Sequence, residues 1–120
     1  STFGGSPVIC KAALGVFHAI EKEKMLKNAK TMGEYATKKL AWLKEKYACI
    51  KDVRNLGLMI GIELTIEGKP IVDECFAHLL NINCTQGNVL RIMPALNVTK
   101  KQIDKAFAII AKAIEKVTSK

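Results

Sequence analysis

Leu58-Met59-Ile60-Gly61-Ile62-Glu63-Leu64-Thr65 decides the fold. Leu58, Ile60, Ile62 and Leu64 fall on one side of an extended chain, and Met59, Gly61, Glu63 and Thr65 on the other. That two-residue period belongs to a strand with one buried face. Just upstream, residues 50–54 read as a short strand, and Gly57 and Gly61 mark close backbone approaches. Downstream, residues 82–85 and 89–93 read as two more strands around the hairpin-like turn Gln86-Gly87-Asn88, with Pro94 ending the second.

Outside these strands the period changes to that of a helix. Leu26, Ala29, Gly33, Ala36, Leu40, Leu43 and Tyr47 recur at steps of three or four, which predicts an amphipathic helix over residues 25–47. Glu67-Gly68-Lys69-Pro70 turns into a helix over 71–80, for which Asn81 is the expected left-handed cap. Thr99 and Gln102 form a capping box that opens the last helix, with Ile103, Phe107, Ile110, Ile114 and Val117 as its stripe. The first helix starts at Ser6-Pro7, cap and first position, and is apolar around most of its circumference over 8–20. Such a helix wants cover on more than one side, and His18 is expected to be buried on it. The sum is an α+β two-layer sandwich, a small and mainly antiparallel sheet with helices packed on one face.

The chain has 120 residues, enough for one domain with a single core. Its longest apolar run, 7–20, is too short and too interrupted by Lys11 and His18 to cross a bilayer. Four cysteines, Cys10, Cys49, Cys75 and Cys84, have neither disulfide-framework nor zinc-site spacing. They read as reduced thiols in a cytoplasmic protein. The net charge of +8 raises a nucleic-acid-binding module as a reading from another class. Against it, seventeen of the nineteen basic residues are lysines strewn along helices, and only Arg54 and Arg91 are arginines. Recognition of bases and phosphates leans on arginine and on stacking aromatics, so neither nucleic acid nor membrane is an expected partner.

Three segments carry chemistry. Ser1-Thr2-Phe3-Gly4-Gly5-Ser6-Pro7 places hydroxyls and a flexible backbone at a helix N-terminus, an arrangement that suits an anion. Asp52-Val-Arg54-Asn-Leu-Gly57-Leu-Met-Ile-Gly61-Ile-Glu63-Leu64 offers Arg54 and Glu63 as a cross-strand ion pair. Asn88-Val-Leu-Arg91-Ile-Met-Pro94 sets an arginine in an apolar strand, on one face with Val89 and Met93. Burying that guanidinium unpaired is costly, and its planar fork suits a carboxylate, either within the protein or on a ligand.

In this order and at these intervals the three segments resemble the C-terminal part of the class-III aminotransferases, over essentially the whole chain. The likeness is to the acetylornithine/ornithine type, most of all from Ile82-Asn-Cys-Thr85 to Leu96. The resemblance implies a pyridoxal 5'-phosphate enzyme, a fold-type I homodimer with active sites at the subunit interface. It gives Thr2 a contact with the cofactor phosphate across that interface, and sets Ser1 beside the neighbouring subunit's substrate site. Arg91 resembles the residue that receives a substrate carboxylate. Arg54 and Glu63 are not carried over.

Ser6 stands where the family writes asparagine and caps equally well. His78-Leu79-Leu80-Asn81 departs from the family's Gly-Leu-Leu, which makes His78 a surface-turn residue. The resemblance also implies residues 1–24 as an interdomain segment and helix, residues 25–120 as the sandwich, and an N-terminal cofactor-binding domain as the partner. The lysine that carries the cofactor lies upstream of this segment in the family. The chain alone is therefore expected to be a piece of a longer protein, inactive by itself and unable to hold the cofactor tightly. The implied reaction moves an amino group from N-acetylornithine to 2-oxoglutarate in arginine biosynthesis. Ornithine, succinylornithine and 4-aminobutyrate remain alternative donors.

Overall fold

The computed structural model describes residues 2–119. Its elements are α1 (Pro7–Lys22), α2 (Met25–Lys46), β1 (Ile50–Leu56), β2 (Met59–Leu64), α3 (Lys69–Ala77), β3 (Asn83–Thr85), β4 (Val89–Ile92) and α4 (Lys100–Thr118). The four strands form one sheet in the order β1-β2-β4-β3, every neighbour antiparallel. This is the expected α+β architecture. Its helical layer is ordered α2-α4-α3, because α2 packs on β1 and on α4, and α3 on α4 and β3.

Alternation along the strands determines which face is covered. Ile60, Ile62 and Leu64 of β2 and Leu90 and Ile92 of β4 are buried under the helices. They meet Ala36, Leu40 and Leu43 of α2, Ile71 and Cys75 of α3, and Ile103, Phe107, Ile110 and Ile114 of α4 in one continuous core. Each fully buried aliphatic side chain among them contributes about 1.5–3 kcal/mol of transfer free energy.

Polar latches fix the helices over this core. Tyr35 donates to Asp104 at 2.5 Å, and Tyr47 donates to Glu115 at 2.8 Å. The partners advance together along both helices, so α2 and α4 run parallel. At the start of α4, Thr99 accepts from the Gln102 amide while the Gln102 side chain accepts from the Thr99 amide, completing the capping box.

Several expectations are corrected. Helix α1 has no buried residue, and His18 is exposed on it rather than enclosed. No hydrogen bond or ion pair joins residues 2–18 to the sandwich among the described residues. The projecting helix raises the radius of gyration to 16.8 Å, against about 14 Å for a compact chain of this length. Leu26, placed on the apolar stripe of α2, is 71% exposed, on the rim of a groove that it lines with Leu56, Met59 and Pro94. Strand β1 runs on to Leu56, since the hairpin with β2 closes on Gly57 and Leu58, with Leu56 opposite Met59. The left-handed residue after α3 is Leu79 (φ 62°), not Asn81. His78 is the C-cap of α3 and lies at the surface, as expected.

The hairpin tip is where backbone approaches backbone. Gly57 has φ +55°, and a Cβ on Gly33 of α2 would lie 2.6 Å from its Cα. Asn55 bridges the contact, donating to the carbonyls of Gly33 and Gly57 at 3.3 and 3.1 Å. Thr37 donates to Gly33 and to Asn55 at 3.0 Å each. Two glycines and one asparagine thus fix how far the sheet slides along α2.

Candidate functional site

The helices cover one face of the sheet and leave the other open. Cross-strand register places Arg54, Gly61 and Arg91 opposite one another on β1, β2 and β4, with Asn83 of β3 at the end of the row. By alternation they share the open face with Leu56, Met59, Glu63 and Val89. Arg54, Leu56, Met59, Gly61, Val89 and Arg91 are among the residues that line a groove of about 410 Å³ there. Gly61 keeps the middle of the row low. A Cβ at that position would meet the Arg54 side chain at 3.7 Å and Val89 at 3.8 Å, so both side chains lean over the glycine.

The two arginines are in opposite electrostatic states. Arg54 donates to Glu63 at 2.9 Å and lies 3.3 Å from Asp52, which Lys44 also approaches at 3.2 Å. Glu63 receives Lys51 as well, at 2.7 Å. A register shift between Ile50 and Asp52 accompanies Lys51's reach to that carboxylate. Arg91 is exposed and makes no ion pair or side-chain hydrogen bond among the described residues. The intramolecular partner that would have explained it is absent, so its fork is available to an anion from outside the sandwich.

Hydrogen bonding from Lys51, then Arg54, holds the Glu63 carboxyl below its ordinary value of 4.5. Hydrogen bonding from Lys44, then the Val53 amide, does the same for Asp52. A depressed native pKa means that the unfolded chain binds protons first as acid is added. The stability from these pairs is therefore present above pH ~4.5 and is lost as pH falls through the native values. In a series of urea midpoints between neutral pH and pH ~3, Glu63→Gln is expected to flatten the acid limb. A limb as steep as that of the unaltered protein would show that Glu63 contributes nothing to it.

The second expected site lies at the other end of the molecule. Thr2 is exposed in the turn before α1, Gly5 has φ +81°, and nothing lies within 4 Å of a Cβ built there. Ser6 caps α1 by its backbone only, so its hydroxyl is uncommitted. Pro7 has no N–H, and the amides of Val8 and Ile9 are orphan donors of a first helical turn. These hydroxyls and amides fit a phosphate, with the helix dipole adding to the attraction. Ser1 lies outside the described residues. Among the described residues no hydrogen bond or ion pair brings the Thr2 turn to the Arg91 groove, so a centre using both needs further polypeptide.

Sequence reading missed what register supplies, namely that Gly61 separates the two arginines. Its signal was a glycine interrupting an otherwise bulky alternation. The cysteines add no chemistry. All four are free, and burial pushes the Cys75 thiol up to about 11, which keeps it protonated at neutral pH. The described residues contain no cluster able to hold a metal ion. No described helix is long and apolar enough to cross a membrane.

Comparison with known proteins places these features in a wider setting. The sequence model of the aminotransferase class-III family matches residues 1–114. An acetylornithine aminotransferase of Methanosarcina mazei is 43% identical over 113 residues, 94% of this chain and 28% of that protein. A leucine/methionine racemase of Thermococcus litoralis is 39% identical, over 97% of this chain and 28% of that protein. The crystal structure of acetylornithine aminotransferase from Elizabethkingia anophelis superposes with a TM-score of 0.89 at 28% identity. That superposition covers 97% of this chain and 32% of the other. The chain thus spans between a quarter and a third of the length of each of these three proteins.

Proposed function

The chain belongs to the class-III aminotransferase family, and from that premise we propose that it is the C-terminal small domain of a pyridoxal-phosphate-dependent transaminase. We infer that the complete enzyme moves the amino group of N-acetylornithine to 2-oxoglutarate in arginine biosynthesis. The observation that carries the reading is Arg91, an exposed guanidinium with no partner among the described residues, in a groove on the open sheet face. Its chemistry matches the donor. Acetylation blocks the α-nitrogen of ornithine, so only the δ-amine can be transferred, and the free α-carboxylate is the group an arginine fork can hold.

Within this reading, Arg91 receives the substrate carboxylate and fixes which end of the molecule faces the reacting centre. Thr2, with the orphan amides of α1, holds the cofactor phosphate of the neighbouring subunit in a homodimer. Ser1 borders that subunit's substrate site. When bound, the cofactor supplies an electron-withdrawing ring that acidifies the carbon bearing the amine. The lysine that anchors it belongs to an N-terminal domain of the same chain. Residues 1–24 then act as the interdomain segment and residues 25–120 as the sandwich. Support for a covering domain comes from the apolar surface left open. Val8, Leu14, Val16 and Phe17 of α1 are at least 59% exposed, as are Leu56 and Met59 on the sheet. Unpaired cysteines are in keeping with a cytoplasmic enzyme.

Donor choice is tested with the complete enzyme and 2-oxoglutarate. N-Acetylornithine is expected to give a kcat/KM at least about ten-fold above ornithine, succinylornithine and 4-aminobutyrate, the discrimination of roughly 1.4 kcal/mol of differential binding. A higher value for any of the other three reassigns the substrate within the family.

A further inference from the structure

Nothing among the described residues requires position 61 to be a glycine. The other glycines of the sandwich each have a local cause. A Cβ on Gly33 or Gly68 would stand 2.6 Å from a neighbouring atom, and Gly57 and Gly87 have φ of +55° and +79°. Gly61 instead has an ordinary strand backbone, outside the left-handed region. A Cβ there would meet Arg54 Cγ and Nε at 3.7 and 3.8 Å and Val89 Cγ1 at 3.8 Å, which is ordinary van der Waals contact. An added methyl group would therefore fit. Glycine inside a strand costs stability through chain entropy and gives its cross-strand neighbours no side chain to pack on. A cost that the fold itself does not explain marks a place where something else comes close to the strand.

Gly61 and Arg91 stand directly opposite each other in the pairing of β2 with β4, and both line the groove on the open face. The missing side chain leaves a notch with room for a methyl group, walled by Val89 and by the stem of Arg54. We propose that this notch seats the N-acyl group of the donor, which makes Gly61 the residue that sets the preference for an acylated amine. In N-acetylornithine the carboxylate and the acylated nitrogen share one carbon. A carboxylate held by the Arg91 fork therefore brings the acetyl group within a few bonds of the anchor, and an acetyl ends in a methyl. 2-Oxoglutarate, held by the carboxylate far from its ketone, has only a methylene at that point and does not use the notch. The inference rests on Arg91 as the carboxylate anchor and on the acylated donor, and adds the residue that admits the acyl group.

In the complete enzyme, Gly61→Ala is expected to lower kcat/KM for N-acetylornithine about ten-fold relative to ornithine, the scale on which a pocket discriminates a single methylene. Gly61→Val, with a larger side chain, is expected to lower that ratio further. The urea midpoint of the Gly61→Ala enzyme is expected to equal or exceed that of the unaltered enzyme, because the strand loses a glycine and the new Cβ has room. A lower midpoint would show that polypeptide packs into the notch, and overturns the proposal. An unchanged donor ratio overturns it as well; if Arg91→Ala still weakens the use of both donors, the anchor stands without the notch. An unaltered enzyme that prefers ornithine refutes the acylated donor, and the role of Gly61 goes with it.

Discussion

Arg91→Ala in the complete enzyme is expected to lower kcat/KM about 100-fold for both the amine donor and the oxo-acid acceptor. That corresponds to roughly 2.7 kcal/mol, the scale of a charge-assisted bidentate contact with a carboxylate. The loss should fall mainly on KM, since a contact made equally in the ground and transition states binds without accelerating. Two features of the fold make this prediction specific. Arg91 has no partner among the described residues to strand when it is removed, so the variant should retain wild-type stability and cofactor absorbance. It also sits on the uncovered face of β4, so no core packing is lost. Arg91→Lys should recover only part of the activity, because an ammonium cannot reproduce the planar fork. Steady-state kinetics with both substrates, alongside a cofactor absorbance spectrum, provide the measurement. Unchanged constants for both substrates would remove Arg91 from the site.

Gly33→Ala is expected to destabilise the domain by about 2 kcal/mol, although alanine is the better helix former. Helix propensity alone would favour the substitution by roughly 1 kcal/mol. Opposing it, the new Cβ would lie 2.6–2.7 Å from the Cα, carbonyl carbon and oxygen of Gly57. All three are backbone atoms, so no side chain can rotate out of the way. The hairpin must retreat, and the Asn55 bonds to both glycine carbonyls stretch with it. Urea unfolding by circular dichroism reads the change directly. A midpoint equal to or above that of the unaltered protein would show that the hairpin is free to shift. Because the same hairpin carries Arg54 and Gly61, its retreat should also disturb the row that runs on through Arg91.

Much of this architecture was legible from local patterns. The alternation in β2 and β4 shows which residues enter the core, and it put Arg91 on the face opposite Leu90 and Ile92. The spacing of Thr99 and Gln102 identified the start of α4 because a capping box is closed within four residues. The turn before α1 and the helix start at Pro7 were legible for the same reason. What escaped depends on partners distant in sequence. Whether Arg54 meets Glu63 while Arg91 meets nothing is a matter of register, and register is a relation between strands. Gly33 and Gly57 each looked like a small residue in a pattern, and only the fold makes them one contact. The exposure of α1 was legible in part. Its composition asks for cover, and the described residues do not supply it. Leu79 took the left-handed position after α3 instead of Asn81, a local outcome for which the structure supplies no cause.

Family membership leaves one alternative of a different chemical kind, since a relative of similar identity is named a racemase. The most direct measurement therefore follows the nitrogen itself. The complete protein is incubated with cofactor, 2-oxoglutarate and N-acetylornithine carrying heavy nitrogen at its δ-amine, and the products are resolved by mass and by chirality. The predicted result is heavy nitrogen in glutamate, formed in step with the consumption of N-acetylornithine. Unlabelled glutamate pools and intact donor, with leucine or methionine inverted at the α-carbon in a parallel incubation, would contradict it.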